Sequence, residues 1–266
     1  RRGPAWPRPE THVPASLFRR QLGKAWFSGA GVATLPLGLV SVALPLGGFV
    51  GSTRIWKEIL PSFLAGQSAF WHSLAFAGLT ATVCAALSLA SMVHNRKGPS
   101  PFSAVLWLPF FAPGVLLGIG LIFILNRPFL DSLLHSTAVV IVGFTLRYLV
   151  LSWNTASQAL AATDPDLTAA ARLEGASRWQ ILRHVQGPQI ASSMAAAWYV
   201  TYLFCLWDVE TLVFIVPPGG ETLSLRIFNL LHYGWTDQVY ALCALLLGLA
   251  VLPALVWQIG CLIRKP

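Results

Sequence analysis

Charge is what this chain has least of. Only 11% of its 266 residues are charged and 55% are hydrophobic, whereas soluble domains carry roughly 25% charge. No charged residue lies between Lys24 and Arg54, Glu58 and Arg96, Lys97 and Arg127, or Asp237 and Arg264. Each run exceeds the ~20 residues that cross ~30 Å of hydrocarbon. Together with a mean hydropathy of +0.64, these runs place the chain in a bilayer.

Motifs for chemistry are also missing. Gly23-Lys24 is followed by Ala25 and lacks the upstream glycine of a phosphate-cradling loop, so the chain has no usual backbone nest for ATP. Neither His-Glu-x-x-His nor Gly-x-Ser-x-Gly occurs, which leaves no constellation for hydrolysis. The four cysteines, Cys84, Cys205, Cys243 and Cys261, fall within or at the end of apolar runs without Cys-x-x-Cys or His-rich spacing. They read as small buried residues, not as metal ligands or disulfides. The expectation is no enzyme, no cofactor and no metal site.

Two further apolar stretches carry isolated charges, one around Arg147 and one around Asp208 and Glu210. The expected architecture is all-α and polytopic. Its six spans lie near 28–50, 71–92, 102–124, 137–155, 193–215 and 239–262. Segment 1–24 is basic and contains proline, and reads as a cytoplasmic N-terminal segment or linker ahead of a six-span membrane domain, 25–266.

With the N-terminus inside, 13 basic residues face the cytoplasm: Arg1, Arg2, Arg8, Arg19, Arg20, Lys24, Arg96, Lys97, Arg172, Arg178, Arg183, Arg264 and Lys265. Four lie outside (Arg54, Lys57, Arg127 and Arg226) and Arg147 is intramembrane. The positive-inside rule selects this orientation, with both termini cytoplasmic. The net charge of +8 therefore belongs to span ends and anionic lipid headgroups, and no nucleic-acid partner is expected. Many of the 11 Trp, among them Trp26, Trp71, Trp153, Trp235 and Trp257, fall near span ends, as an aromatic belt requires.

Between the fourth and fifth spans lies a polar, helix-prone island, about 156–190. Asp164 is placed to cap a helix whose first residue is Pro165. Ala169-Ala170-Ala171-Arg172-Leu173-Glu174 continues it, and Gly175 supplies the left-handed turn that stops it. After Ala176, Ser177 caps a second helix, Arg178 to Val185, which Gly187-Pro188 is expected to close.

This elbow resembles the cytoplasmic coupling loop of binding-protein-dependent ABC importer permeases of type I. Their pattern is Glu-Ala-Ala, three residues, Gly, nine residues, Ile-x-Leu-Pro. Ala170-Ala171, Gly175-Ala176-Ser177, Val185 and Pro188 stand at matching positions; Ala169 and Gly187 replace the pattern's Glu and Leu. The resemblance covers about Trp71 to Leu262. It implies a pseudo-twofold pair of permease halves, two ABC ATPase subunits docked on the elbows, and an extracytoplasmic solute-binding protein, in a bacterial inner membrane. Some members fuse two six-span halves in one polypeptide, and this chain resembles either a second half or a single subunit.

Arg147, Asp208 and Glu210 are the intramembrane charges, costly unless paired, wetted or protonated. Counted along continuous helices, Arg147 lies roughly 15 Å deep and Asp208 roughly 22 Å from the cytoplasmic end, close enough to pair if tilt cooperates. Residues two apart on one helix diverge by about 200°, so Asp208 and Glu210 are not expected to face the same way. Structural pairing and a role in the translocation path are both open for them. Pro36, Pro45, Pro109, Pro113 and Pro253 are expected to break span hydrogen bonds. Gly114, Gly118 and Gly120 are expected to let helices approach closely. Pro109 to Gly120 is the expected site of movement.

Arg147-Tyr148-Leu149 and the loop Pro217-Pro218-Gly219-Gly220-Glu221-Thr222-Leu223 to His232-Tyr233-Gly234 resemble permeases for ferric iron and, less closely, thiamine, polyamines and phosphonates. Interfacial anchoring is expected of His232 and Tyr233 in preference to iron ligation. The rival reading is an ion-coupled secondary carrier, with Asp208, Glu210 and Arg147 as its relay.

Overall fold

The computed structural model describes residues 15–51, 53–94 and 101–263; most of the N-terminal segment 1–24 lies outside them. The described chain divides into two units between Trp56 and Lys57. The first contains helix Ala15–Gly38, interrupted at Gly23 where φ is 76° and ψ 158°. A π-helical turn, Leu39–Ala43, and helix Leu44–Gly51 follow. Within it Gly23–Ala43 is long and apolar enough to cross a membrane.

In the second unit, membrane-length helices run from Gln67 to Ser91, Ala138 to Ala161, Arg178 to Trp207 and Asp237 to Gly260. A further span is broken: Ser103–Phe111 and Gly114–Leu125 meet at 108°. The described residues thus hold five membrane-length helices, or six spans when the bent pair counts as one. The expected span at 102–124 is therefore two helices. Pro113 has no N–H to give and sits with ψ 132° just ahead of Gly114, which turns the chain.

The second, fourth, fifth and sixth spans share one core. Ala69, Phe76, Ala77 and Ala81 pack with Val139, Val140, Phe144, Tyr202, Leu206, Leu242, Leu246 and Leu249. In a bilayer, burial between helices replaces lipid contact, so close packing and hydrogen bonds decide the arrangement. Trp198 Nε1 donates to Thr82 Oγ1 at 3.0 Å, joining the fifth and second spans. Ser152 and Thr201 hydroxyls meet at 3.4 Å between the fourth and fifth.

The sixth span shows how an intramembrane proline is accommodated. Helix Thr236–Ile263 continues through Pro253, whose missing N–H leaves Leu249 O without its helical donor. Tyr202 donates its hydroxyl to Leu249 O at 2.9 Å, and Tyr199 donates to Ala250 O at 2.9 Å. Two tyrosines of the fifth span thus satisfy the carbonyls next to the proline, as hydrocarbon demands.

At the end away from the elbow, Pro217-Pro218-Gly219-Gly220 forms a turn with Gly219 at φ 81° and Gly220 N donating to Pro217 O at 2.9 Å. Thr222 caps helix Leu223–His232 through Leu225 N, and Leu223 N reaches Ser73 Oγ on the second span at 2.8 Å. His232 bonds within its own helix, to Phe228 O at 2.8 Å, and Tyr233 is exposed. Trp26, Trp71, Trp235 and Trp257 are exposed and Trp153 is half-buried.

Candidate functional site

Two places concentrate chemistry: the elbow, and the point where two broken spans meet the fourth. At the elbow, Asp164 accepts a hydrogen bond from Asp166 N and Pro165 opens helix Pro165–Leu173. Gly175 has φ 79°, Ala176 N donates to Ala171 O and Gly175 N to Arg172 O, each at 3.0 Å. This pair of bonds is the Schellman closure, which needs the left-handed glycine. Ser177 and Gln180 then form a reciprocal capping box that starts Arg178–Ile181. The sequence carries that signal as Ser-x-x-Gln. Gln189 adds a tie not foreseen from the sequence, accepting from Asp164 N and donating to Val185 O.

The second elbow helix does not stop at Gly187-Pro188 as expected. A π turn, Leu182–Gln186, carries it directly into Gly187–Trp207. The wider π turn brings the backbone so close that a Cβ on Gly187 would stand 2.7 Å from Leu182 O. That explains the glycine where the pattern has leucine. Pro188 lies directly after the π turn, where the regular i→i−4 ladder is already interrupted, so it is accommodated within a continuous helix. Ala156, Leu182, Ile190 and Met194 form a second core that holds the elbow to the spans. Ala169, Ala170 and Arg172 are exposed, as are Leu173 and Trp179.

Within the membrane part, the fifth span ends at Trp207, and Asp208 is extended with ψ 102°. A short helix, Leu212–Ile215, resumes after it. Asp208 accepts from Thr211 N at 2.9 Å and Thr211 Oγ1 at 2.7 Å, acting like an N-cap for the new helical turn. Its two oxygens also receive Arg147 Nη1 at 3.1 and 3.2 Å and the Tyr148 hydroxyl at 2.8 Å. Arg147 Nη1 donates to Thr211 Oγ1 as well, at 2.7 Å.

The break changes where Glu210 points. On a continuous helix it would face away from Asp208; here Glu210 Oε2 accepts from Arg147 Nη2 at 3.3 Å and Gly114 N at 3.1 Å. Both carboxylates therefore converge on Arg147. Their surroundings differ: the Asp208 side chain is 2% exposed and that of Glu210 is 63%. Gly114 has no room for a side chain. A Cβ there would overlap Arg147 Nη1 and lie 2.7 Å from Glu210 Cβ and 2.9 Å from Thr211 N. Gly118 approaches Thr211 O to 3.3 Å by the same measure, whereas Gly120, expected to do likewise, faces open space. Tyr148, Thr211 and the Gly114 amide were not foreseen as parts of the site. Part of the signal for the break was present, since Asp208 is a residue type that caps helices.

Comparison with known proteins decides the family. The binding-protein-dependent transport system inner membrane component family matches residues 78–258. The chain belongs to that family. It is 28% identical over 246 residues to the putative 2-aminoethylphosphonate transport system permease protein PhnV of Salmonella paratyphi A, covering 85% of this chain and 91% of that protein. It is 26% identical over 213 residues to the spermidine/putrescine transport system permease protein PotC of Escherichia coli K12, covering 79% and 80%. A bacterial ABC transporter involved in the import of the acidic polysaccharide alginate shares the fold, with TM-score 0.67 and 16% identity over 92% of this chain and 97% of that one. The protein is thus a multi-span inner-membrane transport permease of ABC importer type, not an enzyme.

Proposed function

We propose that this chain forms one half of the translocation path of an ATP-driven importer. A solute-binding protein delivers a small solute to it, and the energy comes from separate ATPase subunits. The observation that carries this reading is the elbow: a helix, a left-handed glycine and a second helix, joined to the fifth span by continuous helical backbone. A lever of this build links its tip to the fifth span through unbroken helical backbone. The 13 basic residues against four support an elbow and termini on the cytoplasmic side, where an ATPase would bind.

In this reading two such halves pair, and closure of two ATPases brings the elbows together and turns the path outward. The solute leaves the binding protein, and hydrolysis returns the path inward. Rigid-body alternation of this kind needs only two packed states. As solute, an organophosphonate or a polyamine is favoured over ferric iron or thiamine, because the relatives matched over most of their length are named for the former two. A secondary carrier relay is not favoured, since Asp208 is saturated by donors from Arg147, Tyr148 and Thr211.

Co-expression with a tagged ATPase subunit from the same transport locus tests the reading. The permease is expected to co-purify, and Gly175→Pro is expected to abolish co-purification without lowering membrane levels. A permease that never associates with the ATPase, or a Gly175→Pro variant that binds it normally, overturns the assignment.

A further inference from the structure

The two carboxylates on Arg147 are held in unequal ways. Asp208 is buried and receives hydrogen bonds from Arg147, Tyr148 and Thr211. Removing it would leave the Tyr148 hydroxyl and Thr211 without their acceptor and Arg147 with only the exposed Glu210. Glu210 is mostly exposed and makes two bonds, 3.1 Å to Gly114 N and 3.3 Å to Arg147 Nη2. If Glu210 swings away, Arg147 keeps Asp208 as its counter-ion. Asp208 is held by four donor groups and Glu210 by two.

What Glu210 fastens is the bend of the third span. Gly114 is the first residue of helix Gly114–Leu125, directly after the 108° turn. Its amide is one of the orphan donors of that helix end, and the positive end of the helix dipole favours a carboxylate there. Around this tie the surfaces are smooth. Gly114 admits no Cβ, and Gly118 lies against Thr211 O and Phe214 Cβ. The start of the Gly114–Leu125 helix thus rests on the fifth-span break across glycines and takes Glu210 at its free amide, while Leu121 and Leu125 bury their side chains in the shared core.

We propose that Glu210 is a positioning residue that latches the Gly114–Leu125 half of the third span to the fourth and fifth spans in one state of the transport cycle and releases it in the other. Asp208 holds Arg147 in place throughout. The inference rests on the reading of the chain as an ATP-driven importer permease. In that setting the latch sets the balance between two arrangements of the third-span bend, and so how far the ATPases run without a loaded binding protein.

The test uses the importer assembled with its ATPase subunits and binding protein in proteoliposomes. ATP hydrolysis is measured with and without liganded binding protein, for wild type, Glu210→Ala and Glu210→Gln. Losing the latch is expected to raise basal hydrolysis roughly fivefold, the low end of allosteric coupling, and to lower the stimulation ratio in proportion. Glu210→Gln keeps an acceptor for Gly114 N and is expected to fall between the two. Hydrogen exchange across residues 113–118 is expected to quicken in the same order. If Glu210→Ala fails to assemble, the Gln variant decides alone. An unchanged ratio, or basal and stimulated rates that fall together, overturns the latch. A wild-type complex without any stimulation by binding protein overturns the functional reading instead.

Discussion

Arg147 and Asp208 pair at 3.1 Å between the fourth span and the end of the fifth. The pair places a charge couple at the one level where both neighbouring spans are interrupted. Removing Arg147 strands the buried Asp208 carboxylate, at a cost of about 3–5 kcal/mol, and removing Asp208 leaves Arg147 only the exposed Glu210. Arg147→Met and Asp208→Asn are each expected to cut assembly or transport severely. The double variant is expected to recover part of the loss, because no stranded charge remains. Thermal stability of the purified permease reads this out, and strictly additive losses would show that the pair does not act as a unit.

Gly114 gives a steric prediction. An added methyl would meet Arg147, Glu210 Cβ and the Thr211 backbone, so Gly114→Ala is expected to destabilise by about 1–3 kcal/mol, as overpacking does. Gly120→Ala, which faces open space, is the control and is expected to be silent. Equal melting temperatures for the two variants would contradict the packing described.

The tyrosine–proline arrangement predicts a coupling of opposite kind. Tyr202→Phe removes the donor to Leu249 O and is expected to cost about 1 kcal/mol, typical of hydrogen bonds between membrane helices. Pro253→Ala restores the backbone N–H that serves the same carbonyl. In that background Tyr202→Phe is expected to cost little. A double-mutant cycle that shows no coupling would mean the hydroxyl does not replace the missing helical bond.

How much of this was legible in the sequence depends on the range of the forces involved. The elbow was read almost residue by residue, because Asp164, Pro165, Gly175 and Ser177 act on backbone groups within four residues of themselves. Hydropathy found the spans but not their breaks, since Ala112-Pro113 and Asp208 to Thr211 sit inside apolar stretches. Arg147 and Asp208 were recognisable as partners because an isolated membrane charge is so costly. Glu210 was misplaced because helical spacing was applied across a point where the helix ends. The extension at Gly187-Pro188 was missed for another reason: the π turn just ahead of the proline interrupts the i→i−4 ladder and lets the helix continue.

The elbow yields a functional prediction. Gly175 holds φ 79°, a conformation that costs other residues roughly 1–2 kcal/mol and that proline is sterically denied. Gly175→Pro, or a charge at Ala171, is expected to abolish transport at unchanged membrane levels. Ala169→Glu, at an exposed position, is expected to be tolerated. Uptake assays normalised to permease content check all three, and full transport by Gly175→Pro would contradict the lever.

The most direct measurement is solute uptake by proteoliposomes that contain the permease pair, the ATPase subunits and the liganded binding protein. Energy is supplied either as internal or external ATP or as an imposed ion gradient. Uptake is expected only when ATP is present on the elbow side, and is expected to vanish with Gly175→Pro. Uptake driven by the ion gradient without ATP would contradict the account and return Asp208, Glu210 and Arg147 to the role of a carrier's relay.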